Sequence, residues 1–140
     1  MLWDAMQPDA DKLRAFAARY TAAWCSQSPE SVAAFFSPSG SLSVNDGTPA
    51  VGRKEIAELA RSFMTVFPDL KVAMNDLRIQ PDSTEYHWTL TGTNSGPGGK
   101  GHKVQVSGFE KWCIGSDGLI ASSRGHFNAA EYQHQLEHGI

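Results

Sequence analysis

Residues 67–96, FPDLKVAMNDLRIQPDSTEYHWTLTGTNSG, decide the fold, because the hydrophobic period changes inside them. Upstream of Pro68 apolar residues recur every three or four positions. From Leu70 onward they alternate. Pro68 cannot continue a helix, and Pro81-Asp82-Ser83 reads as a turn between strands over about 70–80 and 83–94. Residues 117–136, DGLIASSRGHFNAAEYQHQL, show an Asp-Gly turn, an extended run and a short helix over about 129–137. Further strands are expected at about 103–114 and 119–128. Gly118 supplies the positive φ of the tight hairpin that joins them.

Working back towards the N-terminus, Asp9 or Asp11 opens a first helix, with Leu13, Phe16, Ala17, Tyr20 and Trp24 on one apolar stripe. Ser28-Pro29-Glu30 restarts a helix, since Ser caps, Pro fits the first helical position and Glu suits the positive helix end. That helix carries Val32, Phe35 and Phe36, and Ser37-Pro38-Ser39-Gly40 ends it. Ser41 to Val44 reads as a brief strand and Asn45-Asp46-Gly47 as a turn. A third helix follows Gly52, with Ile56, Leu59, Phe63, Val66 and Phe67 inward, until Pro68. Helices first and strands afterwards predict an α+β fold: one domain over 1–140, with N-terminal helices packed over the concave face of a cone-shaped, curved antiparallel sheet.

The chain has 140 residues, enough for one domain that buries roughly 70% of its unfolded surface. A hydrophobic share of 41%, a charged share of 19% and a net charge of −3 describe an ordinary globular protein with no basic face for nucleic acid. No apolar stretch approaches the roughly 20 residues of a membrane span, and MLWDAMQPDADK is not a secretory signal. Cys25 and Cys113 lie far apart without metal-type spacing and read as reduced thiols of a cytoplasmic protein.

Alternation assigns faces. In the last strand Ile120, Ser122, Arg124, His126 and Asn128 share one face, and Ala121, Ser123, Gly125 and Phe127 the other. The first set holds every group capable of chemistry and is expected inward. Arg124 and His126 outward, with Ser123 and Phe127 inward, would overturn that pocket. In the 83–94 strand Trp88 and Asn94 face inward, opposite the row His87, Thr89, Thr91 and Thr93. Gly108 reads as a possible bulge, which leaves open whether Phe109 or Glu110 turns inward. His126 can give and take protons near neutrality. Arg124 can hold an oxyanion or a carboxylate, and Glu110 is the strongest carboxylate. The catalytic candidates are therefore His126, Glu110 and Arg124. The ligand-binding candidates are Tyr20, Trp24, Trp88, Asn94, His102 and Asn128. The spaced glycines of Gly96–Gly101 join two strands and so lack the helix N-terminus a pyrophosphate needs. They read as a mobile flap at the pocket mouth, with His102 reaching in. His134 and His138 are one turn apart but have no third ligand, so no metal site is expected.

The two quoted stretches together resemble the SnoaL-like polyketide cyclases, within the nuclear transport factor 2-like superfamily, over about residues 10–138. The resemblance implies an aldol-type cyclisation that uses a carboxylate at the end of the last strand, with no metal or organic cofactor. Aligned without gaps from Ile120, that carboxylate falls on Asn128, and the family's histidine of an earlier Gly-Thr-His stretch falls on Asn94. Epoxide hydrolases of the superfamily use an Asp-Arg-Asp set with Asn and Tyr, part of which Glu110, Arg124, Asn94 and Tyr20 mimic. Two functional classes follow. One is a cofactor-free lyase, isomerase or hydrolase acting on a small, mostly apolar carbonyl compound of polyketide, steroid or terpenoid type. The other is a non-catalytic ligand-binding or dimeric interaction domain, which Asn128 favours. The weakly charged row of His87, Thr89, Thr91 and Thr93, with Ala121, Ser123 and Phe127, predicts a homodimer formed sheet against sheet.

Overall fold

The computed structural model describes residues 2–140, with side chains from Ala10 onward. Helix α1 spans Leu2–Cys25 and runs through Asp9 and Asp11, so neither opens it; the Asp9 side chain lies outside the described residues. Its expected stripe holds: Phe16, Ala17, Tyr20 and Trp24 are buried and Leu13 packs against them. Helix α2, Pro29–Ala33, begins as its sequence dictates, with the Ser28 side chain accepting the Ser31 N–H. It stops at Ala33, earlier than expected. Phe36 already belongs to strand β1, Phe36–Val44, because the Phe35 carbonyl accepts the Ile120 N–H at 2.9 Å. Pro38 has no N–H to contribute and sits where the β1 register shifts, between Phe36 and Ser41. The Arg53 guanidinium caps the Phe36 carbonyl at 2.9 Å.

A two-residue strand β2, Ala50–Val51, leads into α3, Gly52–Val66, which ends before Pro68 as expected. Strands β3 (Lys71–Ile79), β4 (Thr84–Thr93), β5 (Lys103–Ile114) and β6 (Ile120–Phe127) follow, then α4 (Ala129–His138). All four strands and the last helix lie within a residue or so of their predicted places. The sheet is six-stranded, curved and unclosed, in the order β2-β1-β6-β5-β4-β3. Its pairings are antiparallel except β1 with β6, which run parallel because α3 and β3–β5 intervene between them in the chain. The helices cover the concave face, and the α+β architecture is as expected.

The core is aromatic. Tyr20 meets Trp112 edge-on at 5.2 Å, and Tyr86 stacks on Trp112 at 4.9 Å and 13°. Each such pair adds about 0.5–1.5 kcal/mol beyond burial. Gly92 is required beneath Phe67, since a Cβ there would lie 3.0 Å from that ring. Among the described residues no helix is long and apolar enough to cross a membrane. Cys25 and Cys113 are free and exposed.

Candidate active site

Register decides which side chains meet under the helices. β5 pairs with β4 without interruption from Lys103 to Trp112, so Gly108 is no bulge and the alternation holds: Val104, Val106, Glu110 and Trp112 turn inward and Phe109 outward. Gly108 is there for space. A Cβ would lie 2.3 Å from the His126 carbonyl oxygen and 2.8 Å from the Trp88 ring. The bulge is in β6, where Cys113 pairs with Ser122 and Ile114 with Ile120, leaving Ala121 unpaired. One extra residue inverts every later side chain. Ser123, Gly125 and Phe127 therefore face inward, opposite Trp112, Glu110 and Gly108, while Arg124 and His126 face outward. Of the expected inward set of β6, Ile120 is buried in the core, and beyond the bulge the expectation is overturned.

The sites of the remaining candidates follow from their partners. Arg124 is exposed, opposite Lys111. His126 lies on the outer face against the Phe109 ring at 5.2 Å, and Phe109 stacks on His87 at 5.4 Å. Asn128 is exposed and caps α4, its Oδ1 accepting the Glu131 N–H at 2.9 Å. An Asn followed three residues later by Glu is a helix-start signature, legible in the sequence. Asn94 is buried, but both ends of its amide are spent: Nδ2 donates to the Leu136 carbonyl at 2.8 Å and Oδ1 accepts the His102 N–H at 2.6 Å. The Gly96–Gly101 loop is thereby fastened at its base, and the Gly96 N–H donates to the Val66 carbonyl. It is not a free flap. His102 sits beside Gly139 rather than in a cavity.

Between α1, α3, α4 and the concave face lies a cavity of about 70 Å³, walled by Trp24, Phe63, Tyr86, Trp88, Leu90, Val106, Gly125, Phe127 and Tyr132, with Glu110 on its wall. Trp24, from α1, and Trp88, from β4, both lie on this wall. Glu110 is the only carboxylate among the residues lining this cavity, and it is 7% exposed. Its Oε1 accepts three hydrogen bonds: from the Tyr20 hydroxyl at 2.9 Å, the Trp112 indole at 3.0 Å and the Ser123 hydroxyl at 2.7 Å. Oε2 has only the longer 3.2 Å arm of the Tyr20 bond. Tyr20 thus stands behind the cavity wall and acts through Glu110. Ser123 and Trp112 were not foreseen as parts of this network. Burial raises the Glu110 pKa, and the three donors offset that rise only in part. Burial first, and the Glu110 charge second, push the Tyr20 pKa well above its ordinary value.

Tyr86, on the same wall, is bonded to Thr21 at 2.5 Å. The Thr21 proton is already given to the Ala17 carbonyl at 2.8 Å, so the Tyr86 hydroxyl must be the donor of that pair. Its remaining capacity towards the cavity is as an acceptor. A larger groove of about 670 Å³ separates α1 from the turns at 80–83 and 115–118, but its charged groups, Lys12, Arg19 and Asp82, are exposed and do not converge. No group of three metal-binding side chains occurs among the described residues, and His134 and His138 are exposed on the last helix.

Similar architectures occur in solved structures. A Catenulispora acidiphila protein with a ketosteroid isomerase-like fold, in complex with trimethylamine, superposes with a TM-score of 0.77 at 15% identity, covering 87% of this chain and 92% of that one. A Xanthomonas campestris pv. campestris protein provisionally named a polyketide cyclase gives 0.74 at 15% identity, covering 91% and 98%. SalBIII, an epoxide hydrolase/cyclase-like enzyme in pyran ring formation in the polyether salinomycin, gives 0.75 at 16%, covering 88% and 95%. At such identities the likeness is one of fold. Among curated protein sequences none matches the chain. Residues 14–136, nearly the whole of the folded core, match the SnoaL-like polyketide cyclase family as a sequence. The chain belongs to the SnoaL-like polyketide cyclase family.

Proposed function

We propose that this cyclase-type domain takes a small, mostly apolar carbonyl compound of polyketide, steroid or terpenoid type into the cavity, and that Glu110 carries its proton transfers. The observation behind this reading is a carboxyl in an apolar cavity wall whose Oε1 is saturated by donors while Oε2 is nearly unoccupied. Burial that raises its pKa makes it a stronger base when ionised than an exposed carboxylate. In an aldol closure Glu110 takes the proton α to one carbonyl, and the C–H electron pair becomes the enolate. The enolate carbon forms the new bond to a second carbonyl carbon. That carbonyl's π pair goes to its oxygen, which takes the proton back from Glu110. The roles expected for His126 and Arg124 do not carry over, since both lie outside the cavity. As a second proposal, the outer face bearing His87, Phe109, His126 and the threonine row pairs with a second copy of the chain.

A non-catalytic cavity is the alternative, favoured by one observation: all three strong donors to Glu110 come from the protein, as in a structural polar network. Thermal-shift screening of polyketide, steroid and terpenoid ketones, followed by turnover assays on those that bind, separates the two. Under the proposal, Glu110→Gln keeps binding and loses roughly two to four decades of turnover, while His126→Gln keeps both. Binding without turnover by the wild type would establish the alternative.

A further inference from the structure

A cavity of about 70 Å³ is small beside the ring ketones proposed for it. An engineered apolar cavity of about 150 Å³ holds one benzene molecule, so even a single ring calls for about twice the space enclosed here. One wall must therefore stand elsewhere when such a ligand is bound. The sheet does not give way easily. Strands β1, β4, β5 and β6 have a hydrogen-bonded neighbour on each side, and β3 pairs with β4 along its length. Helix α1 is held by Tyr20, whose ring meets Tyr86 and Trp112 and whose hydroxyl donates to Glu110. Helix α3 buries Ile56, Ala57, Ala60 and Met64.

Helix α4 differs. Its one buried residue is polar, Gln135, while Tyr132 and Leu136 are buried only in part. Elements with few buried apolar contacts open at the lowest free energy. Among the described residues two hydrogen bonds fasten α4 to the rest of the fold. Asn94 Nδ2 donates to the Leu136 carbonyl at 2.8 Å, and the Gln105 N–H donates to Gln135 Oε1 at 2.7 Å. Tyr132 is the residue with which α4 walls the cavity, its ring edge-on to Phe67 and Phe127.

We propose that α4 is a gate, hinged at Asn128, that swings off the cavity to admit ring-sized carbonyl compounds, with Asn94 and Gln135 as its latch. This rests on the reading of the cavity as a carbonyl-compound site and assigns that site its entrance. Asn128 stands at the junction of β6 and α4, the kind of element-terminal position that absorbs a hinge rotation. Both latch bonds break in the open form, so the apparent affinity falls with the share of molecules that are closed.

Fastening the gate tests it. A Cβ at Gly139 would stand 3.7 Å from the His102 Cβ, a separation that suits a disulfide. The variant is His102→Cys with Gly139→Cys, and Cys25→Ser and Cys113→Ser remove the exposed thiols. Gly139 has a φ of 79°, so a Cys there is strained, but equally so in both redox states. The probe is 2-decalone, a fused-ring ketone, titrated by NMR into the oxidised protein and into the same protein reduced with dithiothreitol. The Kd is expected to be roughly tenfold or more higher in the oxidised form. Xenon, which enters small apolar cavities, should bind both forms alike and report that the closed cavity is intact. If 2-decalone binds both forms equally, the gate is overturned and the cavity reading stands. If it binds neither, both are overturned. Gln135→Ala is a second measure: loss of one latch bond should lower the Kd for 2-decalone roughly fivefold. An unchanged or higher Kd overturns the gate, even where the disulfide variant fails to fold.

Discussion

Replacing Glu110 by Gln removes a titrating proton from the core while keeping the shape that Tyr20, Trp112 and Ser123 hold through Oε1. The stability difference between wild type and variant should then depend on pH in one direction. Below about 4.5, the ordinary value for Glu, the carboxyl is protonated in folded and unfolded chains alike, and the difference is flat. Above it the unfolded chain releases its proton first, because burial has raised the folded-state pKa. The wild type therefore loses stability relative to the variant as pH climbs from 4.5 to the folded pKa, and the loss levels off beyond. Each unit of separation is worth about 1.4 kcal/mol. For 140 residues the unfolding entropy is about 0.29 kcal/mol/K, so one unit corresponds to about 5 °C in Tm. Calorimetry on both proteins from pH 4 to pH 8 reads this as a difference, in which the other titrating groups cancel. A constant offset is expected as well, since the Gln amide places an N–H₂ at the cavity side. The reasoning is refuted if the difference stays level, or if the wild type gains on the variant as pH rises. The first result would mean that the three donors fully offset burial, the second that they outweigh it.

Tyr20→Phe removes one of those donors and should move the Glu110 titration, followed by ¹³C NMR of its carboxyl, to still higher pH, with a loss of about 1 kcal/mol in stability. Gly108→Ala forces a Cβ to 2.3 Å from the His126 carbonyl oxygen, a backbone atom that moves only with its strand. Overpacking of about 2–3 kcal/mol should lower Tm by roughly 7–10 °C in a thermal melt. Asn128→Asp keeps the cap and should neither shift the urea midpoint appreciably nor raise turnover on any ligand found, whereas Asn128→Ala should cost about 1 kcal/mol in the same titration.

Much of the fold is local and therefore legible in the chain. The stripe of Phe16, Ala17, Tyr20 and Trp24, the Ser28-Pro29 helix start, the stop at Pro68 and the turn at Gly118 each depend on residues a few positions apart. So does the alternation from Leu70 onward. The family likeness carried in residues 67–96 and 117–136 was legible for the same reason. Strand alternation and the family likeness make Asn94 and Asn128 site candidates, yet the structure spends both amides elsewhere. One holds a loop and the other caps a helix, and the Asn-x-x-Glu pattern at 128–131 was a local cue for the second.

The site itself was not local. Which face of β6 looks inward turns on Ala121, and a bulge is a property of two strands: nothing in residues 119–128 alone says that Cys113 and Ile114 pair with Ser122 and Ile120. That single offset sent Arg124 and His126 outward and brought Ser123 to Glu110. The orientation of Glu110 likewise waited on an unbroken ladder between β4 and β5. Its partner Tyr20 lies 90 residues away, brought to 2.9 Å only when the first helix docks on the sheet. The residue types able to do chemistry are written in the chain. Their convergence on one buried carboxyl, where desolvation can raise its pKa, exists only once strand pairing and helix packing have excluded water from around it.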